Sequence, residues 1–166
     1  MQVLIKHSDI VKVCKKIGTA LTKKFEGKEL IVACVLKGAA PFHCELIKHI
    51  NLPMQTDYIQ VKSYNGEEST GVITLKKDLD IDIKGKDVVI VEDIIDSGNT
   101  LKWLKETLEK RSPNSLTFVT MLDKPSRRKV QFKPDYVGFT IENLFVYGFG
   151  LDLDEKYRNL KDVYVN

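Results

Sequence analysis

The sequence predicts an α/β fold, a mostly parallel twisted sheet flanked by helices, and three observations carry that prediction. Continuous apolar runs rich in β-branched residues at Leu30–Leu36 and Val88–Val91 have the pattern of strands covered on both faces, and Leu116–Leu122 reads as a third buried strand. Stretches with apolar residues at helical spacing alternate with these runs. Short polar turns, Lys37-Gly38 and Asp96-Ser97-Gly98, stand between a strand's end and the helix that follows.

Each element has its own justification. Ser8 or Asp9 is placed to cap a first helix, whose apolar positions Ile10, Val13, Cys14, Ile17, Leu21 and Phe25 repeat until Gly27 stops it. Leu30–Leu36 is the first buried strand, and a second helix runs from about Pro41 to Ile50 with proline in its first turn. Met54–Val61 reads as a strand, residues 62–71 as a long polar loop, and Val72–Leu75 as a return to extended chain. After a turn at Asp80–Asp87 comes Val88–Val91, then a helix carrying Leu101, Trp103, Leu104 and Leu108 that ends before Pro113. Leu116–Leu122 and Tyr136–Ile141 are further strands, and Phe145–Asn166 reads as irregular apart from a late strand at Val163–Val165.

Composition narrows the class. A chain of 166 residues without a Pro/Gly/Ser-rich gap fits one domain, 1–166, large enough to bury a core without metals or disulfides. Net charge is +3, from 26 basic against 23 acidic residues, too mild an imbalance to argue for nucleic acid. The longest basic runs, Lys76-Lys77 and Arg127-Arg128-Lys129, have the length of solvated turns. Cys14, Cys34 and Cys44 are odd in number and widely spaced, which suits buried thiols in a reducing compartment. The amino terminus has no basic-then-apolar leader and no apolar run reaches membrane-spanning length, so the expectation is a cytoplasmic protein with no membrane partner.

The chemistry concentrates in one string, VVIVEDIIDSGNTL from Val88 to Leu101: strand, acidic pair, small polar loop, helix. In an open α/β sheet ligands bind outside the carboxyl ends of the strands, so this order brings three carboxylates and a helix amino terminus to the functional edge. Ser97, Gly98, Asn99 and Thr100 offer N–H groups and hydroxyls to one phosphate, with Gly98 permitting close backbone approach. Carboxylates would repel that phosphate. Glu92 and Asp93 therefore suit something else, a ribose diol or a diol shared with a magnesium ion. If Asp96 or Ser97 merely capped a helix, one polar side chain would suffice, and three carboxylates beside a buried strand cost free energy without a ligand. No G-x-x-x-x-G-K-[ST] occurs, and Gly148-Phe149-Gly150 lacks the third glycine of a dinucleotide loop, Leu153 standing in its place.

The string resembles the phosphoribosyl-diphosphate (PRPP) signature of type I phosphoribosyltransferases. The chain as a whole is similar to the hypoxanthine-guanine phosphoribosyltransferases in further segments taken in order. These are Leu36-Lys37-Gly38, Lys62-Ser63-Tyr64 with Ser69-Thr70-Gly71, Leu122-Asp123-Lys124-Pro125, Lys133–Phe139 and Phe145–Asp152. The resemblance implies the fold of that family, with a small hood formed by the terminal segments. It also implies a reaction, transfer of a 5-phosphoribosyl group from PRPP to N9 of a 6-oxopurine, hypoxanthine or guanine, giving IMP or GMP and pyrophosphate in purine salvage. By the same resemblance Mg2+ is required.

Residue by residue, the resemblance assigns the ribose hydroxyls to Glu92 and Asp93 and the 5′-phosphate to Asp96, Ser97, Gly98, Asn99 and Thr100. Asp96 doubles as general base at purine N7. Lys37, Gly38 and Arg158 take the pyrophosphate, in a loop the family often holds with a cis peptide between Leu36 and Lys37. Lys124 donates to the purine O6, Phe145 stacks on the ring, the Val146 carbonyl accepts from its edge, and Asp152 counts among the purine-binding residues and also joins Glu92 and Asp93 at magnesium. Ser63 and Tyr64 belong to a flexible lid, 62–71, that closes over the pyrophosphate. On residue type alone Phe145 suits a core and Arg158 a surface ion pair. Departures are Tyr147 where a small Val is frequent, Phe149 where Tyr is common, and Asn99 where some members carry Lys. Choice among hypoxanthine, guanine and xanthine turns on contacts near the purine 2-position that no motif fixes. A homodimer or homotetramer is expected by family habit. The competing reading is a regulator of the same fold that binds nucleic acid and senses nucleotide.

Overall fold

The computed structural model describes residues 1–63 and 72–166. In chain order the elements are β1 (Gln2–Ile5), α1 (His7–Lys24), β2 (Leu30–Val35), α2 (Ala40–Ile47), β3 (Met54–Ser63), β4 (Ile73–Lys77), β5 (Asp87–Ile95), α3 (Asn99–Glu109), β6 (Ser115–Asp123), β7 (Tyr136–Thr140), β8 (Val146–Tyr147) and β9 (Val163–Val165). Six strands form the main sheet in the order β4-β3-β2-β5-β6-β7. All neighbours are parallel except β4, which returns antiparallel to β3 at one edge.

The apolar runs are strands because both faces of the sheet are covered. Along β5, Val89 and Val91 point to the layer of Ile10, Cys14, Ile17 and Leu21 from α1 and of Phe42 and Leu46 from α2. Val88 and Ile90 point the other way, to Leu101, Leu104 and Leu108 of α3. Every residue of β2 is buried for the same reason. Each such side chain removed from water contributes roughly 1.5–3 kcal/mol, which offsets the entropy of ordering the strand.

The terminal segments form a second, three-stranded antiparallel sheet in the order β1-β9-β8, the expected hood. Neither β1 nor β8 was legible as a strand: they are 4 and 2 residues long, and the partner of both is β9 at the far end of the chain. The start of α1 also differs from expectation. Ser8 and Asp9 lie inside the helix, Lys6 is the residue before it, and the His7 N–H donates to Asp162 Oδ1 at 2.7 Å. A carboxylate from the opposite end of the sequence supplies the acceptor that a local cap would have given. α2 stops at Ile47, short of the expected Ile50.

Two further expectations are corrected. Cys44 is exposed on α2, whereas Cys14 and Cys34 are buried and burial pushes their thiols up to about 12. Arg128, read as part of a solvated basic turn, is largely buried and pairs with Asp123 while donating to the Phe132 carbonyl at 3.1 Å. Among the described residues no helix is long and apolar enough to cross a membrane.

Candidate active site

The order of the main sheet creates the site. From β2 the chain passes through α2 to β3 on one side, and from β5 through α3 to β6 on the other, so connections leave β2 and β5 in opposite directions. The crevice outside the carboxyl ends of such a strand pair is where open α/β sheets take ligands. Into it run Lys37 and Gly38 after β2, Glu92 to Thr100 from β5 to α3, and Lys124 after β6.

The acidic pair sits on the strand itself. β5 was expected to end at Val91 but remains paired to β6 through Glu92↔Thr120, Ile94↔Leu122 and Ile95↔Asp123. Glu92 Oε1 accepts the Asp93 N–H at 2.9 Å and Asp93 Oδ1 accepts the Ile94 N–H at 2.6 Å. No Lys or Arg among the described residues forms an ion pair with either carboxylate. Burial pushes both above the usual carboxylate range, the neighbouring Asp93 charge pushes Glu92 further, and hydrogen bonds with Glu92 and the Ile94 N–H, then Arg158, pull Asp93 partly back. Gly38 lies against this pair so closely that a Cβ would overlap Asp93 Oδ2, and Gly150 is pressed on the Gly38 carbonyl in the same way. The Leu36–Lys37 peptide is cis, as the resemblance implied.

The loop that follows opens α3. Gly98 precedes the helix at φ 84, a left-handed conformation that suits glycine, and Ser97 Oγ accepts the Asn99 N–H at 3.2 Å. A cavity of about 200 Å³ runs from Glu92 past Asp96, Ser97 and Gly98 to Thr100 and Leu101. Two larger clefts, of about 770 and 780 Å³, lie elsewhere. One is at the amino ends of β2 and β5 around Leu30 and Asp87, the other beside α3 around Lys102 and Phe132. Neither reaches the acidic pair, so chemistry and not size marks the site.

Beyond the loop, Lys124 is 7% exposed and its Nζ stands 3.6 Å from Asp96 Oδ1. Phe145 is 56% exposed, so the core role its residue type suggested is not the one it has, and Val146 beside it is buried in β8. Arg158 donates to the Gly150 carbonyl at 2.7 Å and lies 3.4 Å from Asp152 Oδ1. Glu155, which sequence reasoning did not single out, bridges Lys37 and Arg158 at 2.9 Å each. Nothing local in its sequence marks it, because Lys37 is 118 positions away. The described residues contain no cluster of three or more His, Cys, Asp or Glu placed to hold a metal ion. Glu92 and Asp93 are together, while Asp152 faces Arg158 and accepts the Glu155 N–H at 3.0 Å. Ser63 is the exposed end of β3, and Tyr64 with the rest of the expected lid falls outside the described residues.

Comparison with known proteins defines the class: a model of the phosphoribosyl transferase domain family matches residues 4–154. A hypoxanthine-guanine phosphoribosyltransferase from Lactococcus lactis is 52% identical over 160 residues, which are 96% of this chain and 87% of that protein. A crystal structure of a hypoxanthine phosphoribosyltransferase from Staphylococcus aureus superposes with a TM-score of 0.95 at 46% identity, covering 99% of this chain and 90% of that one. A hypoxanthine phosphoribosyltransferase from Trypanosoma cruzi, in complex with the product IMP, does so with a TM-score of 0.93 at 35% identity, covering 99% and 93%. The chain belongs to the hypoxanthine-guanine phosphoribosyltransferase family.

Proposed function

We propose that the protein transfers the 5-phosphoribosyl group of PRPP to N9 of hypoxanthine or guanine, forming IMP or GMP and pyrophosphate in purine salvage. The observation that carries this reading is the pair Glu92-Asp93, desolvated at the β2/β5 switch point, in none of the ion pairs found among the described residues, and followed at once by the Asp96–Thr100 loop. Buried carboxylates in that state hold free energy that a diol or a divalent cation would release. The relatives named above are enzymes, and the regulator reading is not carried further.

Each residue has a task in this scheme. Glu92 and Asp93 accept hydrogen bonds from the ribose hydroxyls, and Ser97, Gly98, Asn99 and Thr100 take the 5′-phosphate at the positive end of α3. Lys124, nearly buried and close to Asp96, donates to the purine O6, while Phe145 presents an open ring face for stacking on the base. The Val146 carbonyl accepts from the edge of the base. Asp96 takes the proton from N7, a role suited to a carboxylate whose neighbour Lys124 holds O6 on the same edge of the purine. Lys37, Gly38 and Arg158 receive the leaving pyrophosphate, and Ser63 and Tyr64 close over it to exclude water.

The donor set fits magnesium. Two adjacent carboxylates with no cationic partner suit a hard cation that completes its shell with substrate oxygens and water, with Asp152 as a further contact. Bound there, the ion would neutralise charge on the departing pyrophosphate. A cytoplasmic homodimer or homotetramer is part of the proposal, supported by the family alone.

The test is the ultraviolet absorbance change on mixing protein, PRPP and magnesium with hypoxanthine, guanine, xanthine or adenine in separate cuvettes. Turnover with hypoxanthine or guanine that collapses in Asp96→Asn is the expected result. Binding of PRPP with no turnover of any base would overturn the reading.

A further inference from the structure

We propose that Glu155 is a built-in placeholder for the pyrophosphate group of PRPP. Its carboxylate holds Lys37 and Arg158 where a diphosphate oxygen would otherwise lie, and it moves aside when the donor binds. The inference rests on the functional reading above and adds a residue to which that reading gives no role.

Three observations carry it. First, the carboxylate spends one oxygen on each cation: Lys37 Nζ reaches Oε2 and Arg158 Nη2 reaches Oε1, both at 2.9 Å. One compact anion thus joins two loops that the fold alone brings together, as an oxygen-rich diphosphate would. Second, the turn that presents it is unusual in backbone. Asp154, Glu155 and Tyr157 have φ of 52°, 63° and 70°, left-handed values that non-glycine residues seldom adopt and that cluster at functional sites. The turn holds itself, through paired Leu153 and Lys156 backbone hydrogen bonds at 3.1 and 3.0 Å and the Asp152 carboxylate on the Glu155 N–H. Third, the parts are arranged for Glu155 to leave and for the cations to stay. Glu155 is exposed, so its side chain can swing into water without breaking a packed contact. Arg158 remains tied to the Gly150 carbonyl and to Asp152, and Lys37 is exposed and able to follow the incoming anion. Lys37 and then Arg158 hold the Glu155 carboxyl below its usual range, so it is ionised wherever the enzyme would meet PRPP.

A carboxylate kept beside the bound diphosphate would repel it, so occupancy of the two cations is competitive. Glu155→Gln and Glu155→Ala are therefore expected to bind magnesium pyrophosphate and PRPP about two- to tenfold more tightly than the wild type, the size of one or two exposed ion pairs. Calorimetry measures this directly, and a lower KM for PRPP and a lower inhibition constant for pyrophosphate follow it. IMP, which lacks the diphosphate, should bind equally well to wild type and variants. Because Glu155 is exposed, both variants are expected to fold, and thermal melting checks that. Unchanged or weaker pyrophosphate binding in the two variants, with a wild type that binds it normally, would overturn the placeholder role alone. A wild type that binds neither pyrophosphate nor PRPP would overturn both this role and the functional reading beneath it.

Discussion

Two ends of one crevice solve the problem of charge in opposite ways. At the end of β5, Glu92 and Asp93 stand on a sheet strand, desolvated and in none of the ion pairs found among the described residues. Beside them, on irregular chain, Glu155 pairs with both Lys37 and Arg158. The difference teaches that the acidic end is preorganised at a cost in stability, while the basic end keeps a solvated substitute for its ligand. A rigid strand can hold unpaired charge because packing over-determines it, and a loop cannot.

The largest effect should come from Asp96, the proposed proton acceptor paired with Lys124. Asp96 is half exposed, next to Lys124 and at the start of the phosphate loop, so its loss removes a proton acceptor without removing a packed side chain. Asp96→Asn is expected to lower turnover by about 10²–10⁴-fold while thermal stability stays near that of the wild type. Stopped-flow or steady-state absorbance, set beside a melting curve, separates the two. A loss of activity matched by a loss of fold would erase the contrast between site and scaffold.

Next comes the cost of the acidic end. In the absence of magnesium and PRPP, Glu92→Gln and Asp93→Asn should raise the melting midpoint, by about 2–4 °C for each kcal/mol of relieved desolvation in a chain of this length. The sign follows from linkage. The folded-state pKa of each carboxyl is raised, so the native protein binds more protons than the unfolded chain once the pH passes the ordinary carboxylate range. Wild-type stability should therefore fall as pH rises from about 4 toward the raised values. The two variants should show a flatter profile, and both should lose PRPP affinity. Melting at a series of pH values in chelator measures this, and a lower midpoint in both variants would sink the idea that the pair is held under strain.

How much of this was legible in the sequence depends on how local the cause is. β2 and β5 were visible because burial on both faces leaves an apolar run, β6 because its apolar and β-branched residues suit a buried strand, and α1 and α3 because one face is apolar at helical spacing. Glu92 and Asp93 were visible as residue types but were expected beyond the strand, since hydrogen bonding to β6 leaves no mark on a carboxylate's identity. The hood strands β1 and β8, the Asp162 cap on His7 and the link from Glu155 to Lys37 depend on partners far along the chain. Phe145 shows the same limit from the other side: an aromatic that reads as core stands open at the crevice.

That exposure supplies a smaller prediction. Phe145→Ala removes a ring that touches solvent, so it should leave the melting midpoint nearly unchanged. Its stacking contribution of about 0.5–1.5 kcal/mol would appear as a KM for the purine roughly two- to twelvefold higher. Equal KM values in variant and wild type would remove Phe145 from the purine pocket and shift recognition of the base to Lys124 and the Val146 backbone.

The smallest expected effect is at Glu155. Glu155 is an exposed residue, and its pairs with Lys37 and Arg158 are screened by water and salt. Glu155→Gln should therefore leave the melting midpoint where it is, although it removes the centre of a three-residue charge network. A change as large as that produced by Glu92→Gln would mean that the loop is held together by its charges, and the distinction between a strained acidic end and a self-satisfied basic end would fail. An unmoved midpoint, combined with tighter pyrophosphate binding, would show that Glu155 acts on ligand occupancy and not on the fold. Stability alone cannot identify such a residue, because the state in which it matters is the one where its place has been taken.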